Sequence, residues 1–223
     1  RFPDLVLIQR TGPKTAGSID LAVVEAVFGV LRLGIGYACQ PAIGWIEPRK
    51  PIRIGELVVT PFSKKHDAAD PHSFLVSCGG ITVGVFTDIG SACAEVVRHF
   101  KQCHAAFLET NYDTEMLENG SYPFHLKKRI SSDHGHLSNQ QALELFQAHR
   151  SPSLSHLLLS HLSKENNSPE LARNLFLPHA AGTEIVVASR YEQTDLYRIS
   201  LPGDETGPAR VVSRKALQLG LFG

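Results

Sequence analysis

Three segments of this chain each end an apolar run on a side chain that can bind a metal. Thr60-Pro61-Phe62 leads to His66-Asp67, Ile81–Phe86 leads to Thr87-Asp88-Ile89-Gly90, and Leu154–Ser160 leads to His161. Neutral imidazole and carboxylate together suit Zn(II), Mn(II) or Fe(II). A carboxylate just beyond a strand of Val and Phe is costly unless it is paired or coordinates an ion. Asp88 is such a carboxylate, and it could also bridge two cations. A centre of this kind polarises an ester or phosphodiester and lowers the pKa of bound water to about 7. Each residue also has an ordinary reading. His66 fits a polar loop, Asp88 fits a cap for a helix starting near Ser91, and His161 fits a strand-end histidine. Only the three together favour a metal.

A second cluster is Ser132-Asp133-His134-Gly135-His136-Leu137-Ser138-Asn139. Ser138 and Gln141 have the spacing of a capping box. A helix start attracts anions, so His136 beside it is a candidate phosphate contact or proton donor. The competing reading is a polar loop with one cap. Glu109 and Asp113 follow a further apolar run; they could orient metal ligands or simply start a helix. Lys127-Lys128-Arg129 reads as a solvated helix face or as a phosphate track.

These side chains need elements to hold them. Strands are expected over Leu5–Ile8, Tyr37–Cys39, Glu56–Phe62, Ser73–Ser77, Ile81–Phe86, Ala105–Glu109, Leu154–Ser160, Glu184–Ala188 and Leu196–Ser200. Gly79-Gly80 predicts a hairpin between two of them. Helices are expected over Ile19–Leu33, Ser91–Lys101, Asp113–Glu118, Pro123–Ile130 and from Ser138 to about His149. Another follows Ser168, with Pro169 in its first position. Prolines 41, 48 and 51 mark an irregular link. A hairpin followed by alternating strands and helices predicts mixed sheets covered by helices.

The 223 residues fit one domain with a sizeable core. Formal net charge is zero, so overall charge announces no nucleic acid or anionic membrane. No run has transmembrane length. Four scattered cysteines without a C-x-x-C pair read as free thiols in a reducing, cytoplasmic setting. There is no glycine-rich nucleotide loop and no G-x-S-x-G motif. Oligomeric state has no signature in the sequence.

Four motifs stand in an order that resembles one group. They are His66-Asp67-Ala68-Ala69-Asp70-Pro71, Thr87-Asp88-Ile89-Gly90, Gly135-His136-Leu137-Ser138-Asn139 and His161-Leu162-Ser163-Lys164-Glu165-Asn166-Asn167. With Tyr122-Pro123-Phe124-His125-Leu126-Lys127, they resemble the WalJ/YycJ-type branch of the metallo-β-lactamase superfamily, from about Ile46 to Ser200. The resemblance implies an α+β, αββα four-layer sandwich with its metal site at one edge of the sheets. It implies a metal-dependent phosphodiesterase or exonuclease acting on DNA, with two ions of Zn or Mn. His66 and His161 would be ligands and Asp88 the bridge. His136 would be a catalytic or substrate contact. Asp67, Glu109, Ser138, Asn139 and Asn166 would support the ligands or the substrate.

One departure stands out. The family's H-x-H-x-D-H motif is absent, and the first histidine is His66. Residues 11–18, where the motif is expected, offer only Thr, Gly, Pro, Lys, Ala and Ser. The first residue is Arg. The chain therefore reads as a single metallo-β-lactamase-like domain over residues 1–223. Residues 1–45 are divergent or rearranged, 46–200 are family-like and 201–223 form a tail. A truncated or shifted reading frame is the expected cause. A catalytically impaired remnant that binds nucleic acid or protein, and a hydrolase of another small ester, are the alternatives.

Overall fold

The computed structural model describes residues 5–7, 48–54, 56–189, 191 and 197–201. The helix expected over Ile19–Leu33, the strand over Tyr37–Cys39 and residues 11–18 lie outside these described residues, as does the tail beyond 201.

Seven strands form one mixed sheet in sequence order: β2 (Ile52–Ile54), β3 (Leu57–Ser63), β4 (His72–Cys78), β5 (Ile81–Phe86), β6 (Ala105–Glu109), β7 (His156–Ser160) and β8 (Glu184–Val187). The β2–β5 part is antiparallel, and β5 to β8 run parallel. β1 (Leu5–Leu7) and β9 (Tyr197–Ile199) pair as a separate antiparallel ribbon.

The hairpin joining β4 and β5 turns on Gly79 and Gly80, both at positive φ. That backbone is what the sequence pair offers. β2 was not expected, since Pro51 falls in the link read as irregular. It is a three-residue edge strand that begins just after Pro51, so the proline takes no donor from the ladder.

Five α-helices are described: α1 (Ala94–Phe100), α2 (Thr114–Asn119), α3 (Phe124–Ile130), α4 (Asn139–His149) and α5 (Pro169–Phe176). Ser138 and Gln141 form the full capping box of α4. Ser168 caps α5, with Pro169 in the first turn. Asp113 caps α2 by accepting from the Met116 N–H.

The parallel strands are apolar at nearly every position because both of their faces are covered. Leu157 and Leu159 of β7, with Ala106 and Leu108 of β6, face a core shared with Phe100, Phe146 and Phe176 of the helices. Leu158, Ala105, Phe107, Val83 and Val85 face the other way, toward Ile199 of the ribbon. Helices, large sheet and ribbon thus stack as successive layers. Cys78, Cys93 and Cys103 are free thiols, and Cys39 lies outside the described residues. No helix among the described residues is long and apolar enough to cross a membrane.

Candidate metal centre

Strand register brings the chemistry together. Phe86 of β5 stands beside Leu108 of β6, and Glu109 of β6 stands beside Ser160 of β7. The carboxyl ends of three neighbouring parallel strands therefore present Asp88, Glu109 and His161 side by side. Open sheets of this type form their sites at that edge. Asp88 (φ 54°) and His161 (φ 58°) both leave their strands in the left-handed conformation. Such backbone costs of order 1–3 kcal/mol and persists where the surroundings enforce it, typically at functional sites.

Glu109 is fully buried and lies at the centre. One oxygen, Oε1, accepts from Nδ1 of His161 at 2.6 Å and from Nδ1 of His136 at 2.7 Å. The other, Oε2, accepts the Ile89 N–H at 2.5 Å. Burial alone would raise its pKa, but the bonds from His136 and His161 outweigh burial and hold it down to about 2. Asp88, Glu109, His136 and His161 form one cluster with potential ligand atoms within 4.8 Å of one another.

His66 approaches from the loop after β3, outside that four-residue cluster. Its Nδ1 donates to the Gly135 carbonyl at 2.9 Å, and its Nε2 lies 3.8 Å from Asp88 Oδ1. His161 Nε2 lies 3.5 Å from the same oxygen. Both rings thus use Nδ1–H on an acceptor and turn Nε2 toward Asp88. Two ligands of one tetrahedral ion, with bonds of about 2.0–2.2 Å, lie roughly 3.3–3.6 Å apart. The Asp88–His161 spacing falls in that range and the Asp88–His66 spacing lies just above it; imidazole and carboxylate are donors of the kind that suit a divalent cation.

Two close approaches lock the loops that carry these groups. A Cβ on Gly135 would collide with the carbonyls of Arg129 and Ile130, and one on Gly90 would collide with the Asp133 backbone. Only glycine lets the His136 loop lie against both α3 and the Asp88 loop.

The other expected site residues are placed as follows. Asp67 pairs with Arg129 of α3 and stands 3.4 Å from His66 Nε2. The Arg129 bond outweighs the effect of partial burial and holds the Asp67 carboxyl below its usual range. Ser138 bonds the Gln141 N–H. Asn139 exchanges amide hydrogen bonds with Asn167 in the interior. Asn166 is buried, and its amides approach the Ser163 hydroxyl. These three brace the loops around the cluster. Asp88 does not cap a helix: α1 begins only at Ala94, with Cys93 at its N-cap.

Asn111 was missed by the sequence reading. Its Nδ2 donates to the His161 carbonyl at 2.8 Å, which supports the left-handed turn. The available signal was its place just after a strand ending in Glu109. Of the basic run, Lys127 bonds the Glu118 carbonyl, while Arg129 turns toward Asp67.

Among solved structures, the chain is similar to the metallo-β-lactamase fold protein YhfI of Bacillus subtilis. The match has a TM-score of 0.50 and 15% identity, and it covers 68% of this chain and 54% of that one. This is a metallo-β-lactamase fold. Among curated proteins, the chain is 35% identical over 119 residues to exodeoxyribonuclease YycJ of Bacillus anthracis, covering 53% of this chain and 45% of the relative. It is 30% identical over 141 residues to exodeoxyribonuclease WalJ of Streptococcus pneumoniae, covering 63% and 52%. The chain spans about half the length of the curated relatives it matches. No family model matches it.

In this metallo-β-lactamase-fold chain the cluster sits at the carboxyl ends of the parallel strands. The same edge brings His66, Asp88 and His161 together with the Glu109–His136 pair.

Proposed function

We propose that this chain is a metal-dependent hydrolase of DNA phosphodiesters, acting from strand ends. One observation carries the reading: His66 and His161, each held through Nδ1, bring Nε2 to within 3.8 Å and 3.5 Å of the same Asp88 oxygen. The likeness to two exodeoxyribonucleases favours DNA as the substrate.

His66, Asp88 and His161 would hold at least one Zn(II) or Mn(II) ion, and three protein ligands leave a position open for water or substrate. A cation held there polarises a phosphodiester oxygen and lowers the pKa of bound water to about 7. His136 is oriented by Glu109, lines the adjoining cleft and delivers a proton to the leaving oxygen. Glu109 is a positioning residue, since its oxygens are already taken by the two rings and the Ile89 N–H.

Elemental analysis followed by digestion of end-labelled single-stranded DNA with Zn(II) or Mn(II) tests the reading. Expected results are bound metal, stepwise release of nucleotides, and a loss of about 10²–10⁴-fold in rate for His136→Gln with metal content retained. A chain that takes up no metal and releases no nucleotide would refute it and leave the binding-module alternative.

A further inference from the structure

A cleft of about 250 Å³ opens beside His136. Its walls are Tyr122, Leu126 and Ile130, with the Arg129–Asp67 pair at one side. Leu126, Arg129 and Ile130 stand at i, i+3 and i+4 on α3, so one face of this helix forms the wall. α3 buries none of its residues, so this face is not committed to the core. Gly135 nonetheless fixes the helix against the His136 loop, which makes the cleft a rigid extension of the catalytic edge.

The cleft is smaller than the roughly 300–1,000 Å³ of ordinary small-molecule sites. It admits one ring system and its sugar. An aromatic ring, two aliphatic side chains and one guanidinium are the recognition chemistry of a single nucleotide. The ring offers a stacking platform that tolerates any base, and the guanidinium, oriented by Asp67, matches a phosphate. The Arg129 side chain is 65% exposed, so its pair with Asp67 adds little to folding.

We propose that this cleft holds the nucleotide adjoining the scissile phosphodiester, with its base stacked on Tyr122. The proposal rests on the phosphodiesterase reading and names the part of the substrate next to the bond that is cut.

Calorimetric titration of the Mn(II)-loaded chain with thymidine 5′-monophosphate and with 2-deoxyribose 5-phosphate isolates the base. The nucleotide is expected to bind about tenfold tighter. Tyr122→Ala should abolish that preference and Tyr122→Phe should keep it. Equal affinity of the two ligands for the unaltered chain overturns the proposal even if the alanine variant does not fold. A preference surviving in folded Tyr122→Ala overturns it too. Hydrolysis of bis(4-nitrophenyl) phosphate, which has no base, reports separately on the phosphodiesterase reading. Turnover without a base preference sinks the cleft alone. A base preference without turnover supports a nucleotide site in the cleft but sinks the hydrolase, and with it the place of that nucleotide beside a cut bond.

Discussion

The buried carboxylate of Glu109 accepts a hydrogen bond from Nδ1 of His161 at 2.6 Å, across neighbouring parallel strands. The two residues are 52 positions apart in sequence. This bond holds the His161 ring with Nε2 3.5 Å from Asp88 and gives Glu109 its influence over the proposed metal site.

Glu109→Gln tests that influence. An amide places an N–H donor opposite either the Ile89 N–H or the two imidazole N–H groups. Outer partners of this kind cost 10–100-fold in metal affinity when lost, so Zn(II) affinity should fall by about that much. Competition with a chromophoric chelator measures it. Unchanged affinity would mean that Glu109 does not orient His161.

Asp88→Asn and His161→Ala remove proposed ligands. Each should reduce metal uptake by more than the roughly 10–100-fold attached to an outer partner. Elemental analysis after dialysis distinguishes the two classes. His136→Gln should keep its metal, and a His136 variant as poor in metal as Asp88→Asn would make His136 a ligand.

Gly135→Ala should destabilise the fold and the site together. The added methyl meets the carbonyls of Arg129 and Ile130, and overpacking of this sort costs about 1–3 kcal/mol. It also displaces the carbonyl that accepts from His66 Nδ1. Urea unfolding should show a lower midpoint, with weaker metal binding in the same variant. An unaltered midpoint would show that the loop can yield.

His99 gives the fold a pH dependence. Its ring is buried and stacks on Phe62 with centroids 4.2 Å apart. Burial, its largest influence, holds the imidazole below its usual range, while Glu95 acts in the opposite direction. The unfolded chain therefore binds a proton near pH 6.5 that the folded chain refuses. This contribution should be complete above about pH 6.5 and should fall as pH drops below it toward the depressed folded value. Unfolding of metal-free chain at pH 7.5 and pH 5.5 measures the slope, and His99→Phe should flatten it. An equal slope in that variant would assign the effect elsewhere.

Local signals were legible in the sequence because a few adjacent residues generate them. The Ser138–Gln141 capping box, the Ser168-Pro169 helix start and the Gly79-Gly80 hairpin each depend on contacts within about four positions. The apolar runs that became β5, β6 and β7 were visible for the same reason, and so were His66, Asp88 and His161 as residues of the right type at strand ends.

Tertiary structure alone decided how those ends meet. Parallel pairing aligned Asp88, Glu109 and His161, and left-handed backbone at Asp88 and His161 aimed their side chains. It gave Glu109 two imidazoles to hold, where the sequence favoured a helix start. It also folded α3 beside His136 and so made the cleft. The physical reason is range: these contacts join groups 20 to 69 residues apart, and spacing along a chain does not encode which distant strands become neighbours.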